Sequence, residues 1–222
     1  MVGVLGSRLG AGAAADMGYG WRELDAHAIG CMEAVFAAGM VPLGIPSLPE
    51  MAGGRWCDLV DGLVVSPAWR CQATGGRDDD GVADLELSLV REALGRRLPV
   101  LAICWAVRAL DPALASPEGA EVTAAGEGLP SPAPACELEV GDPELRDLLG
   151  PKPVVVAPHP RLHPPLPPAW RAGARGVDGS VEAVIGLTCP ALWVGWHPEL
   201  LPPGDPAREG PFRWLRRRIP GP

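Results

Sequence analysis

Lysine is nearly absent from this chain: Lys152 is the only one, and every other basic residue is arginine. Acidic residues are in excess, and the formal net charge is −8. Phosphate neutralisation needs a cationic face, so this balance argues against nucleic-acid binding. The one basic cluster, "RWLRRRI" near the C-terminus, reads as the solvated side of a last helix. Tyrosine and phenylalanine are scarce, with one and two residues, so the eight tryptophans supply most of the aromatic bulk. No apolar run approaches the roughly 20 residues of a membrane-spanning helix. The opening "MVGVLGSRLG" lacks a charged segment followed by a long apolar one, so it reads as a first buried strand and not as a signal peptide. The six cysteines are scattered, with no Cys-x-x-Cys pair. That spacing disfavours a disulfide framework or a zinc site and fits reduced thiols in the cytoplasm. No metal and no other cofactor is expected.

What is present is a chain of 222 residues with 47% hydrophobic content, enough for one domain over 1–222 with a substantial core. Strand-like and helix-like stretches alternate. "VGVLGS" reads as a buried strand. "WRELDAHAIGCMEAVFAAGM" carries apolar residues at helical spacing and stops at Gly39. "VPLGIP" and "CDLVDGLVVSP", the latter with "GLVV" as its buried part, give the next two strands. "DGVADLELSLVREALGRR" reads as a helix, with Asp80 and Asp84 in its first turns and Arg96 and Arg97 in its last. "LPVLAIC" is a further strand, and "WAVRALDPAL" a helix cut short by Pro112. Residues 116–135, rich in Gly, Pro, Ala and Ser, predict a surface loop. "ACELEVGD" and "KPVVVAP" follow as strands, then the proline-dense "PHPRLHPPLPPAW" as a loop. "SVEAVIGL" and "ALWVGWHPE" read as an antiparallel pair, and "GPFRWLRRRI" as a closing helix. Continuous apolar strands between helices imply a mostly parallel central sheet with helices on both faces, a flavodoxin-like α/β architecture. Ligands in such folds bind beyond the carboxyl ends of the strands.

Cys104 falls at that edge. It ends a buried strand, a helix begins straight after it, and its neighbours Ala102 and Ala106 are small, as a tight strand–turn–helix requires. A helix N-terminus stabilises a thiolate. Cysteine is also among the most buried residue types, so the stretch alone leaves a structural thiol and a nucleophile both open. "GWHPE" tips the balance toward chemistry. His197 and Glu199 are two apart and, in an extended segment, point to the same side. A carboxylate can then orient an imidazole, and the imidazole can act as base to a thiol. His27, His159 and His163 lack convergent partners at metal-ligand spacing and read as loop histidines.

These residues together resemble the class I glutamine amidotransferase-like hydrolases, in particular the γ-glutamyl-γ-aminobutyrate hydrolase type of peptidase. The likeness runs through "EAVFAAGMVPLGIP", "CDLVDGLVVSP", "ADLELSLVREALGRRLPVLAIC" and "VDGSVEAVIG" to "VGWHPE". The resemblance implies the class I glutamine amidotransferase fold, with Cys104 as nucleophile, His197 as base and Glu199 as its orienter. It implies a γ-glutamyl or glutamine-like amide as the small-molecule substrate, cleaved through a γ-glutamyl thioester.

The chain departs from the family in the surrounding shell. Gly-x-Cys-x-Gly is replaced by Ala102-Ile103-Cys104-Trp105-Ala106, and the Pro-Gly-Gly oxyanion loop by Ser66-Pro67-Ala68. Pro67 has no N–H to offer an oxyanion. Trp105 N–H serves as one donor, and Ala68 N–H as a second given a shift in loop register. His159 stands in for one of the family's pocket histidines. Three readings follow: a γ-glutamyl amide hydrolase; a glutaminase subunit feeding ammonia to a separate synthetase; and a catalytically impaired member acting as a binding protein. A homodimer and a synthetase partner are both compatible with the sequence.

Overall fold

Four apolar tetrapeptides, VGVL, GLVV, VLAI and ALWV, have every residue buried, because each lies in a sheet covered on both faces. The computed structural model describes residues 1–9, 24–46, 55–66, 82–111, 114, 135–156, 162 and 165–221. In chain order the strands are β1 (Val2–Leu5), β2 (Ser7–Leu9), β3 (Leu24–Ala26), β4 (Pro42–Ile45), β5 (Gly62–Val65), β6 (Val100–Ile103), β7 (Ala135–Val140), β8 (Val154–Val156), β9 (Trp170–Gly176), β10 (Val181–Gly186) and β11 (Ala191–Val194). The helices are α1 (Ile29–Ala37), α2 (Arg55–Leu59), α3 (Val82–Gly95), α4 (Val107–Leu110), α5 (Pro143–Leu149) and α6 (Pro206–Arg218).

Among the described residues, nine strands form one sheet in the order β4-β1-β5-β6-β11-β10-β9-β7-β8, and β2 and β3 form a separate antiparallel pair. The expected mostly parallel sheet is corrected to a mixed one. From β4 to β11 the neighbours are parallel, and from β11 to β8 they are antiparallel. Connection length explains the division. Helices separate the strands of the parallel half, whereas short turns at 177–180 and 187–190 join β9 to β10 and β10 to β11, and a tight turn can only reverse direction. Gly179, at φ 84°, supplies the left-handed residue in the first of these turns.

Side chains alternate between two cores. Leu101 and Ile103 of β6 join Val2, Val35, Val194, Trp196, Phe212 and Trp214 on one face, with α1, α5 and α6. Val100 and Ala102 join Leu63, Val65, Leu89, Val107 and Trp193 on the other, with α2, α3 and α4. Helices thus cover both faces, as the continuous apolar strands predict.

Several boundaries differ from the sequence reading. The strand expected over "CDLVDGLVVSP" is corrected: Arg55–Leu59 is helical, and the strand starts only at Gly62. The first long helix begins at Ile29, because Leu24–Ala26 pairs with β2. It ends where Gly39 turns left-handed at φ 76°. Arg96 and Arg97 lie just past α3, and Arg97 itself has φ 59°. α4 is a single turn, and Asp111 after it is extended, as a residue preceding proline must be. The closing basic cluster is absorbed internally. Arg218 grips Glu144 of α5 with two bonds of 2.9 and 2.7 Å and stacks over Trp214, and Arg217 reaches Asp147 at 2.7 Å. Arg218 holds the Glu144 carboxyl below the usual range. No helix among the described residues is long and apolar enough to cross a membrane.

Candidate active site

β6 carries Cys104 to the carboxyl edge of the sheet. The chain passes directly from Ile103 into a 3₁₀ turn at Cys104–Ala106 and then into α4. Such a reversal requires one left-handed residue, and Cys104 takes it at φ 55°. A non-glycine residue there is uncommon and costs roughly 1–3 kcal/mol, a strain that concentrates at functional sites. The flanking Ala102 and Ala106 are buried, so the turn packs without glycine at either position. Trp105 N–H lies in the first turn of the 3₁₀ segment, among the amides that have no intrahelical acceptor.

Two contacts fix this elbow from β11. The register Trp193↔Ala102 and Val194↔Ile103 brings β11 alongside β6. The fully buried Trp193 then donates its indole N–H to the Cys104 carbonyl at 2.6 Å. Sequence reasoning missed this bond, since it depends on the register of two strands far apart in the chain. Trp193→Phe keeps the bulk and leaves that buried carbonyl without its donor. It should destabilise the fold by about 1–3 kcal/mol, measured by urea denaturation.

β11 also delivers the other two residues. The expectation of an extended "GWHPE" is corrected: β11 stops at Val194, and Pro198–Leu200 forms a 3₁₀ turn that His197 caps. Proline at the first helical position favours that turn. Glu199 folds back across it, and His197 Nδ1 meets Glu199 Oε1 at 2.7 Å. The pair meets by turn geometry instead of strand geometry. An ionised carboxylate only accepts, so Nδ1–H donates, which leaves Nε2 for the Cys104 thiol.

The Glu199 side chain is 6% exposed, and its second oxygen, Oε2, has no hydrogen-bond partner among the described residues. Burial pushes the His197 pKa down, but hydrogen bonds to Cys104 and Glu199, with the negative charge of both, outweigh it and raise the pKa to about 10. The imidazole therefore holds its proton at neutral pH.

The structure brings Cys104, His197 and Glu199 together and places the Trp105 backbone at the same turn. Pro67, Ala68 and His159 lie outside the described residues, as does His163. His27 packs its ring against Gly44 in β4. Among the described residues no group of three or more His, Cys, Asp or Glu side chains could hold a metal ion. A cleft of about 250 Å³, lined by residues such as Glu139, Gly173 and Arg175, opens on β7 and β9, with β11 and β10 between it and β6.

No family model and no curated protein matches the sequence. The fold does have counterparts among solved structures. One is a Thermoplasma acidophilum protein described as a GMP synthase subunit. The two share 16% identity over 98% of this chain and 91% of that one, with a TM-score of 0.55. The chain thus shares the α/β fold of that protein.

Proposed function

We propose that the chain is a cysteine-dependent hydrolase of a γ-glutamyl or glutamine-like amide. One observation carries the reading: a strained, left-handed cysteine at the end of a central strand faces a histidine that a buried carboxylate orients. The Cys104 sulfur attacks the amide carbon, and the carbonyl electrons move onto oxygen, toward Trp105 N–H. As that oxyanion collapses, the C–N bond breaks, and His197 gives its proton to the departing amine. A γ-glutamyl thioester remains on Cys104. Water then attacks it, His197 takes the water proton, and the C–S bond breaks to release the carboxylate. Glu199 keeps the imidazole in the required tautomer throughout.

The test is to incubate the protein with glutamine and with a panel of γ-glutamyl amines while following amine release, with hydroxylamine present to trap the thioester as a hydroxamate. Release from at least one substrate, together with hydroxamate, is expected. Absence of both across the panel would overturn the proposal.

A second reading, a glutaminase subunit that passes ammonia to a separate synthetase, is favoured by the structural neighbour described as part of a GMP synthase. It predicts purification with a stoichiometric synthetase. Glutamine turnover indifferent to any partner counts against it.

A further inference from the structure

The position of Glu199 is itself unusual. It sits on a short 3₁₀ turn beyond the end of β11, where no ladder bond holds it. Its backbone instead rests on the first turn of α1. Gly30 is the contact: a Cβ built there would lie well inside van der Waals distance of the Glu199 carbonyl oxygen, and 3.2 Å from its carbonyl carbon and from its Cβ. Glycine is a poor helix residue, and alanine would serve α1 better on propensity alone. Nor does Gly30 need glycine for its backbone, since among the described residues the glycines with positive φ are Gly39, Gly150, Gly179 and Gly204. The constraint at this position is the space taken by Glu199.

A second contact holds the same turn from the other side. Arg208, in the first turns of α6 and only 7% exposed, donates to the Leu201 carbonyl at 2.6 Å and reaches Glu33 of α1 at 3.2 Å. It joins the residue that ends the turn to the helix on which the turn rests. Trp196, just before His197, donates to the Ala207 carbonyl at 3.0 Å. Cys31, next to Gly30, registers the closeness of both groups: burial pushes its thiol up first, the Glu199 charge pushes it further, and Ser66 and Arg208 oppose this.

We infer that Gly30 and Arg208 form a seat that sets the position of Glu199 against His197, and that both are positioning residues for the catalytic pair. The inference rests on the hydrolase reading only for its bearing on rate. Its geometric content stands on the His197–Glu199 contact.

The experiment separates the two. The His197 ring is titrated by NMR in the wild type, in Gly30→Ala and in Gly95→Ala, with His197→Gln assigning the signal among the four histidines. Gly95 is the control, because a Cβ there meets nothing within 4 Å. In Gly30→Ala the added methyl displaces Glu199, and the His197 pKa should fall by roughly one unit toward its ordinary value. Gly95→Ala should titrate like the wild type. On an active substrate, Gly30→Ala should lower kcat by roughly 10²-fold with little change in KM, since misplacement of about 1 Å has that effect. If Gly30→Ala does not fold, Arg208→Lys carries the same titration, because it keeps the charge and shortens the reach to Leu201. A folded variant whose His197 titrates like the wild type would overturn the seat, whatever the outcome of the substrate panel. An inactive wild type in which Gly30→Ala still lowers the pKa would overturn the hydrolase reading and leave the seat standing.

Discussion

Cys104→Ala should abolish amide turnover, leaving no more than about 10⁻³–10⁻⁴ of the wild-type rate. The variant removes the only atom on which the thioester can form, and the remaining groups can do no more than polarise the bound carbonyl. It should fold, since alanine fits the buried elbow and bears the same left-handed backbone cost as the cysteine it replaces. The same substitution tests thiol reactivity. Burial raises the Cys31, Cys57 and Cys189 thiols, so these stay protonated and slow toward a small alkylating agent at neutral pH. Labelling at Cys104, followed peptide by peptide by mass spectrometry, should therefore outpace labelling at those three and vanish in Cys104→Ala. Turnover equal in both proteins would remove Cys104 from the chemistry.

Glu199→Gln is the second large effect. The amide is nearly isosteric, so its oxygen can still face His197 Nδ1, but the buried negative charge is gone. The charge interaction that helps raise His197 to about 10 then disappears and the bond at Nδ1 loses its ionised acceptor, so the pKa should move down toward 6.5. The sign for stability follows. A histidine with a raised folded-state pKa contributes stability that is fully present below its unfolded value near 6.5 and is lost as pH rises through the folded value. For the wild type that loss spans about pH 6.5 to 10, as the imidazolium gives up its proton. In Glu199→Gln the contribution is smaller and exhausted at lower pH, so the urea midpoints of the two proteins should converge at alkaline pH. Turnover near neutrality should fall by roughly 10²–10⁴-fold, because the imidazole loses the partner that fixes its tautomer. Unchanged pH profiles for both midpoint and rate would contradict this account.

The three residues that meet at the candidate site, Cys104, His197 and Glu199, could be picked out in the sequence because each sits beside an abrupt change of pattern. An apolar run stops at Cys104, and another stops just before "WHPE". Helices on both faces were legible too, from strands apolar at every position. Strand direction was not, because it depends on whether a connection is a helix or a turn. β9 was missed since "WRAGARG" alternates glycine, alanine and arginine and offers little apolar signal, though its backbone pairs on both sides. α5 was missed because seven residues are too few to show a helical period, even with Asp142 capping it through the Leu145 N–H at 2.9 Å. The Trp193 bond and the Gly30 contact lie beyond any local reading. Each joins segments remote in sequence, and only the register of β11 brings them together.

That register also bears on how the thiol behaves before the chain is complete. β6 and the Cys104 elbow leave the ribosome long before β11, and a domain folds largely once its non-local partners are available. Until β11 docks between β6 and β10, Cys104 has no Trp193 on its carbonyl and no His197 beside its sulfur. A nascent chain therefore carries six ordinary thiols. On the proposed hydrolase reading, the strand that arrives late completes the Cys104 site, and an unfinished or truncated product lacks the pair that would activate the thiol.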